Sequence, residues 1–127
     1  QYIKQAVANG ASAVIAEAPA AQFFASLTVP AIELPGLQER VGELAARFFG
    51  EPSRTMHVVG ITGTNGKTTT SRIIAQLFRA LGKPCGVIGT LGVTLGNDVS
   101  TAANTTPDAV SLQRQLSQWL DQHVQFV

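Results

Sequence analysis

Seven consecutive residues, Gly63-Thr64-Asn65-Gly66-Lys67-Thr68-Thr69, have the composition of a loop that binds phosphate groups. They follow a β-branched segment, Met56 to Thr62, and a helical pattern begins at Lys67. Phosphate oxygens need several N–H donors that converge on one point, and glycine lets the backbone present them without a Cβ clash. The N-terminus of the following helix adds unpaired N–H groups and the positive end of its dipole. The sequence therefore predicts a nucleoside triphosphate site at this loop.

Two side chains of the loop suit the charges of ATP and Mg²⁺, the ligands that we expect. Lys67 would place its ammonium group on the β- and γ-phosphates, which makes it the candidate catalytic residue, and the Thr68 hydroxyl would ligate magnesium. The general P-loop pattern has a glycine five residues before Gly66, where this sequence has Ile61, so the loop is a shorter and distinct variant. From the residues alone, a glycine-rich helix start without a ligand remains the alternative.

The elements that must position this loop alternate between helical and extended patterns. The periodicity predicts helices over residues 1–9, 37–49, 67–80 and 108–122, and strands over residues 13–16, 29–34, 56–62, 87–89 and from 124. Residues 90–103 suggest strand ends and a loop, or a hairpin. The predicted fold class is α/β. We expect a partial three-layer, P-loop-type parallel sheet with helices on both faces, preceded by the end of a smaller α/β domain.

A polar, proline-containing segment, residues 51–55, is the predicted domain boundary. Residues 1–50 then form the C-terminal part of one domain, and residues 51–127 form the N-terminal part of a second. The sequence starts at Gln1 inside a helical pattern and stops at Val127 inside an extended one. Because a few strands do not complete a doubly wound sheet, we interpret the chain as an excerpt of a longer protein.

Composition argues against several other classes of protein. Nine basic and eight acidic residues give a net charge of +1 without a basic stripe, so we expect no nucleic-acid partner. No apolar run reaches the roughly 18 residues of a membrane span, and no signal peptide is present, so we expect no membrane partner and a cytoplasmic location. Cys85 is expected to be a small buried hydrophobe. His57 and His123 are expected to be structural or exposed rather than catalytic.

The segment Gly60 to Thr70 resembles the ATP-binding loop of the Mur ligases, which build the peptide stem of bacterial cell-wall precursors. Three other stretches resemble the same family: residues 1–17, residues 87–92, and Asn104-Thr105-Thr106-Pro107-Asp108. The last of these, followed by Leu112-Gln113, is similar to the member that adds the third stem residue to UDP-N-acetylmuramoyl-L-alanyl-D-glutamate. That residue is meso-diaminopimelate or L-lysine, and the sequence leaves the choice between them open.

The resemblance implies an ATP-dependent amide-bond ligase that works through an acyl phosphate. It implies that Gly63, Thr64, Asn65, Gly66, Lys67, Thr68 and Thr69 bind ATP. It also implies that Asn104, Thr105 and Thr106 contact the UDP-muramyl dipeptide. From the pattern alone, an N-cap for the helix after Pro107 is the favoured interpretation of these three residues. The other expected partner is the incoming amino acid, and we expect the full-length protein to be a monomer.

The resemblance places a magnesium-binding glutamate, a carbamylated lysine and the amino-acid pocket beyond Val127, and the uracil-binding segment before Gln1. We therefore expect the chain alone to have no ligase activity. Three alternatives remain open: another Mur ligase, a folylpolyglutamate synthase-like ligase, and a nucleotide-binding module without chemistry. Asn104-Thr105-Thr106-Pro107 weighs against the first, and Thr68 and Thr69 after Lys67 weigh against the second. The lack of a visible general base would favour the third alternative, a module without chemistry. An excerpt of a longer protein explains that lack better, because the base can lie outside the excerpt.

Overall fold

The computed structural model describes residues 2–96, 98–100 and 107–127. The chain forms two compact units, Gln1–Val41 and Gly42–Val127. The elements in chain order are α1 Tyr2–Ala8, β1 Val14–Glu17, a 3₁₀ turn Ala21–Phe23, β2 Ala31–Leu34, α2 Leu37–Phe48, α3 Pro52–Thr55, α4 Lys67–Ala80, β3 Gly86–Gly89, β4 Gly92–Leu95, β5 Asp98–Ser100 and α5 Ala109–Asp121. The predicted α/β class is confirmed. The polar segment predicted as a domain boundary forms the short helix α3.

In the first unit, β1 and β2 pair in parallel, with Val14 opposite Ala31. Each strand carries a glutamate that accepts hydrogen bonds from backbone N–H groups of a nearby turn. Glu17 accepts from Gly36 at 2.8 Å, beside the start of α2. Glu33 accepts from Ala20 at 2.8 Å, beside the 3₁₀ turn. These carboxylates satisfy N–H groups that a helix start leaves without partners, which fixes how each strand connects to the helical turn near it.

In the second unit, three backbone segments lie side by side in parallel, with the C-terminal residues in the middle. Phe126 bridges to His57 on one side and to Cys85 on the other. The Val59 N–H donates to the Val127 carbonyl at 2.8 Å. The strand predicted over residues 56–62 is therefore paired only at its beginning, because among the described residues nothing pairs with the backbone of residues 60–62.

Beyond this parallel part, the sheet continues as an antiparallel meander. β3 pairs with β4, and β4 pairs with β5. Gly89 lies opposite Gly92 at the turn between β3 and β4. For residues 90–103 the sequence left strand ends, a loop or a hairpin as options. The first part of this segment belongs to the hairpin of β3 and β4.

The core of the second unit is formed by Met56, Leu116, Trp119 and Val124, with Ile88 and Val93 among the half-buried residues packed against it. Trp119 is 3% exposed, which makes it one of the most deeply buried residues of this core. Its ring lies against Gly86: a Cβ atom built at this glycine would be 2.4 Å from the Trp119 ring. The absence of a side chain at Gly86 therefore lets α5 pack closely on β3.

The apolar residues of α4 repeat at helical spacing, but only some of them are covered. Among Ile73, Ile74, Leu77, Phe78 and Leu81, only Ile74 and Phe78 are half-buried, and Phe78 stacks on Phe126 with ring centroids 4.3 Å apart. Ile73, Leu77 and Leu81 are 51%, 61% and 71% exposed. The reason is geometric: the apolar arc of α4 is wider than the surface that it contacts in the described chain. Phe48 at the end of α2 is likewise an uncovered apolar residue, 83% exposed.

Candidate phosphate-binding site

The loop between residue 62 and α4 has the backbone geometry that its glycines predict. Gly63 has φ 141° and Gly66 has φ 81°, both in the range that residues with a Cβ rarely adopt. Gly66 is the N-cap of α4, and no side chain caps the helix there. The first helical hydrogen bond runs from the Thr70 N–H to the Gly66 carbonyl at 2.8 Å. The N–H groups of the first turn therefore point out of the helix end, where an anion would be favoured.

The Lys67 side chain is folded back over this loop. Its Nζ donates to the carbonyl oxygen of Gly63, with a longer contact of 3.4 Å to that of Thr64. The ammonium group is thus held beside the N-terminus of α4 in the absence of a ligand. Its partners are two exposed neutral carbonyls, which an anionic phosphate oxygen would outcompete because hydrogen bonds between charged groups are the stronger ones.

The Thr68 hydroxyl, on the first turn of α4, lies 3.1 Å from the hydroxyl of Thr90. Thr90 follows Gly89 at the end of β3, so this contact joins the helix that carries the loop to the neighbouring strand. The Thr68 carbonyl accepts a hydrogen bond from the Ser71 hydroxyl at 3.0 Å. The hydroxyl of the predicted magnesium ligand therefore has one side-chain partner at hydrogen-bond distance, the hydroxyl of Thr90.

A cavity of about 450 Å³ opens beside the loop, and Lys67 and Thr68 are among its lining residues. β3 and α5 form other parts of its wall, including Thr90 and Gln113. The side-chain oxygen of Gln113 is buried and accepts no hydrogen bond in the described chain. The cavity thus has a cationic end at the loop, where a phosphorylated ligand would be favoured.

Magnesium fits the residues at the loop. Mg²⁺ usually keeps several waters and takes one or two protein ligands together with phosphate oxygens. A single hydroxyl, that of Thr68, beside the uncapped start of α4 meets this requirement. Among the described residues, no group of three or more His, Cys, Asp or Glu residues could hold a metal ion. A magnesium ion at the loop would therefore take its other ligands from phosphate oxygens and water.

The second group of predicted site residues, Asn104, Thr105 and Thr106, lies outside the described residues. Their alternative role as an N-cap for the next helix is wrong, because Asp108 is the N-cap of α5. Its carboxylate accepts from the N–H groups of Val110 and Ser111 at 2.9 Å, and from the Ser111 hydroxyl at 2.7 Å. These bonds, those from Ser111 above all, hold the pKa of Asp108 below its ordinary value.

Cys85, His57 and His123 are the other described residues whose side chains were considered for chemistry in the sequence. Cys85 is buried, and burial raises the pKa of its thiol, which disfavours the nucleophilic thiolate. The His57 ring stacks on Phe126 at a centroid distance of 5.1 Å. His123 lies just after α5 with φ 62°. Cys85 is thus the buried hydrophobe that the sequence predicted, and neither histidine contacts the loop.

Comparison with known proteins identifies the family. The model of the Mur ligase middle domain matches residues 61–127, a segment that begins just before the loop and includes β3 to α5. The chain belongs to the Mur ligase family. This confirms the resemblance seen in Gly60 to Thr70.

The similar proteins of known name agree with one another. The chain is 43% identical over 126 residues to the UDP-N-acetylmuramoyl-L-alanyl-D-glutamate–2,6-diaminopimelate ligase of Geobacillus thermodenitrificans, covering 99% of the chain and 25% of that ligase. It is 45% identical to the ligase of the same name from Xanthomonas campestris over 99% of the chain and 25% of that protein. A solved structure of a ligase with this name matches 97% of the chain and 24% of its own length, with a TM-score of 0.75 and 33% identity. The chain thus spans about a quarter of the length of these Mur ligases.

Two residues of the site, Thr90 and Gln113, had no role predicted from the sequence. Both belong to longer stretches that resemble the family, and neither has a distinctive pattern around it. Thr90 is 22 positions from Thr68, and only the pairing of β3 within the sheet brings them together. The signal that the sequence offered concerns Thr90, which is a polar residue directly after the strand predicted over residues 87–89.

In the part of the chain that the structure describes, no helix is both long and apolar enough to cross a membrane.

Proposed function

We propose that this Mur ligase chain is part of an ATP-dependent amide-bond ligase of peptidoglycan precursor synthesis. It would add the third stem amino acid to UDP-N-acetylmuramoyl-L-alanyl-D-glutamate in the cytoplasm. The observation that carries the proposal is the loop: an uncapped helix start with two glycines at positive φ, and Lys67 folded over it. The names of the similar proteins support this ligase over a folylpolyglutamate synthase-like ligase or another Mur ligase.

The two parts of the chain would have different tasks. We assign residues 1–50 to the domain that binds the UDP-linked precursor and residues 51–127 to the ATP-binding domain. Asn104, Thr105 and Thr106 would contact the precursor close to the nucleotide. Their composition supports this assignment because three short polar side chains in succession provide hydrogen-bond donors and acceptors for a polar ligand.

The chemistry that we propose forms an amide bond in two steps. A carboxylate oxygen of the precursor attacks the γ-phosphorus of ATP, the bond to the β,γ-bridging oxygen breaks, and ADP leaves. The amine of the incoming amino acid then attacks the acyl carbon, phosphate leaves with the bonding electron pair, and the amine loses a proton. Diaminopimelate is the amino acid in the names of the similar proteins; L-lysine is the other candidate.

Within this chemistry, the residues of the chain bind and orient the phosphates. The N–H groups of Gly66 to Thr69 would cradle the phosphate oxygens, and Lys67 would leave its carbonyl partners to neutralise charge on the transferred group. The Thr68 hydroxyl would hold Mg²⁺, which neutralises phosphate charge when it is bound. Since the main task is positioning and charge stabilisation, small displacements of this loop should lower the rate strongly.

The proposal is tested by measuring ADP release with the UDP-muramyl dipeptide and either diaminopimelate or L-lysine. The intact protein should release ADP with one of the two amino acids, and the Lys67→Ala variant should not. The 127-residue chain on its own should release none, because the chain spans only a quarter of the related ligases. Turnover by the isolated chain would refute that second expectation, and an intact protein inert toward both amino acids would refute the proposed reaction.

A further inference from the structure

The contact between the hydroxyls of Thr68 and Thr90 has a chemical consequence for metal binding. A threonine hydroxyl has one hydrogen and two lone pairs. When it ligates a cation, a lone pair must face the metal, so its hydrogen must point elsewhere. An acceptor at hydrogen-bond distance on the other side then fixes this orientation, and the Oγ1 atom of Thr90 lies 3.1 Å from that of Thr68.

No other side chain in the described part of the chain is hydrogen-bonded to the Thr68 hydroxyl. Ser71, one turn further along α4, donates instead to the Thr68 backbone carbonyl at 3.0 Å. Thr90 also differs from an ordinary packing residue. It is exposed, it lies in the turn between β3 and β4, and together with Thr68 it lines the cavity beside the loop. Two neutral hydroxyls this close to water contribute little to folding, because water can replace each partner.

We propose that Thr90 is a positioning residue for the magnesium site, an inference that rests on the proposed function. With the cation bound, Thr68 donates its hydroxyl hydrogen to Thr90 Oγ1 and directs a lone pair to Mg²⁺. Thr90 acts through Thr68, in the way that partners of metal ligands elsewhere orient those ligands and change metal affinity about 10- to 100-fold when they are removed. A side chain in the turn after β3 thereby affects how tightly the loop holds Mg²⁺.

The test separates magnesium-dependent from magnesium-independent nucleotide binding. ATP affinity of the intact protein is measured by calorimetry in EDTA and across a Mg²⁺ titration. The variants are Thr90→Val, which keeps the volume and removes the acceptor, and Thr90→Ser, which keeps the hydroxyl. Thr55→Val is the matched control, because Thr55 is an exposed threonine at the end of α3 and is not among the residues that line the cavity. Thermal unfolding of each variant checks that it is folded.

We expect Thr90→Val to need about 10-fold more Mg²⁺ for the half-maximal gain in ATP affinity, with unchanged affinity in EDTA. Thr90→Ser should restore the native magnesium dependence, and Thr55→Val should not alter it. The proposal is overturned if Thr90→Val titrates like the native protein, or if it loses the same factor of affinity with and without Mg²⁺. A native protein that does not bind ATP at all would instead overturn the proposed function, and this inference with it.

Discussion

At the scale of single residues, the site depends on where hydrogens and lone pairs point. Gly63 and Gly66 shape the loop, while Lys67 and Thr68 are held by contacts that a ligand would replace or reuse. The sequence predicted the identity of these residues because glycine, lysine and threonine at this spacing, between a strand and a helix, are typical of phosphate-binding loops. It did not predict that Lys67 rests on the carbonyl of Gly63, or that Thr68 meets Thr90. Both contacts depend on side-chain positions that only the folded sheet defines.

Asp108 provides a pH-dependent contribution to stability at this scale. Its folded-state pKa lies below the ordinary value of 3.8 because Ser111 and Val110 donate to the carboxylate. For a lowered folded-state pKa, the stabilisation is present above the unfolded value and is lost as the pH falls through the folded value. We expect the melting temperature of the native protein to fall below about pH 4, partly through this group.

The variant that isolates this effect is Asp108→Asn, which keeps a good N-cap side chain and removes the titration. Its melting temperature, followed by circular dichroism from about pH 7 to about pH 2.5, should decline less steeply at the acid end than that of the native protein. Asp121→Asn, at the last residue of the same helix, is the charge-matched control. Equal acid slopes for the native protein and Asp108→Asn would contradict the assignment.

At the scale of elements, the helices were predicted well and their surroundings less well. Amphipathic periodicity and terminal glycines place α1, α2, α4 and α5 within a residue or two of the structure. The same periodicity could not show which apolar residues would be covered. Ile73, Leu77 and Leu81 repeat as a buried stripe would, yet they are exposed in the described chain. The hairpin of β3 and β4 was only one of the options, since glycine-rich extended segments are weakly specified by pattern alone.

The packing of α5 on β3 makes a specific prediction about Gly86. Its Cβ position is occupied by the Trp119 ring, at 2.4 Å, and Trp119 belongs to the core. Gly86→Ala should therefore displace the ring and lower the free energy of unfolding by about 1–3 kcal/mol. Denaturant unfolding monitored by the fluorescence of Trp119, the single tryptophan, measures this directly.

Gly89, at the other end of β3, is the matched control. A Cβ atom at Gly89 meets nothing within 4 Å, and its φ is not positive. Gly89→Ala should change the free energy of unfolding by much less than Gly86→Ala. If the two variants were equally stable, the close contact between α5 and β3 would not be a feature of the folded protein.

At the scale of the whole molecule, the chain is a quarter of the length of the ligases that it resembles. The α/β class followed from the sequence because helical and extended patterns alternate along it, and the family followed from the resemblance of residues 60–70 to the ATP-binding loop of the Mur ligases. The precursor-binding side of the site did not follow: Asn104, Thr105 and Thr106 lie outside the described residues, and their assignment rests on resemblance. Gln113 on α5 is a polar residue among those that line the cavity, although its side-chain oxygen is buried.

The proposed function depends above all on ATP phosphates binding to the loop from Gly63 to Thr69. Calorimetry of the intact protein with ATP and Mg²⁺ tests this binding, comparing the native sequence, Lys67→Ala and Lys4→Ala. Lys4 is an exposed lysine on α1 and controls for the loss of one positive charge. We expect binding that Lys67→Ala weakens by at least about tenfold, the effect of one charged hydrogen bond, while Lys4→Ala binds like the native protein. Binding that survives Lys67→Ala unchanged would show that the loop is not the phosphate site.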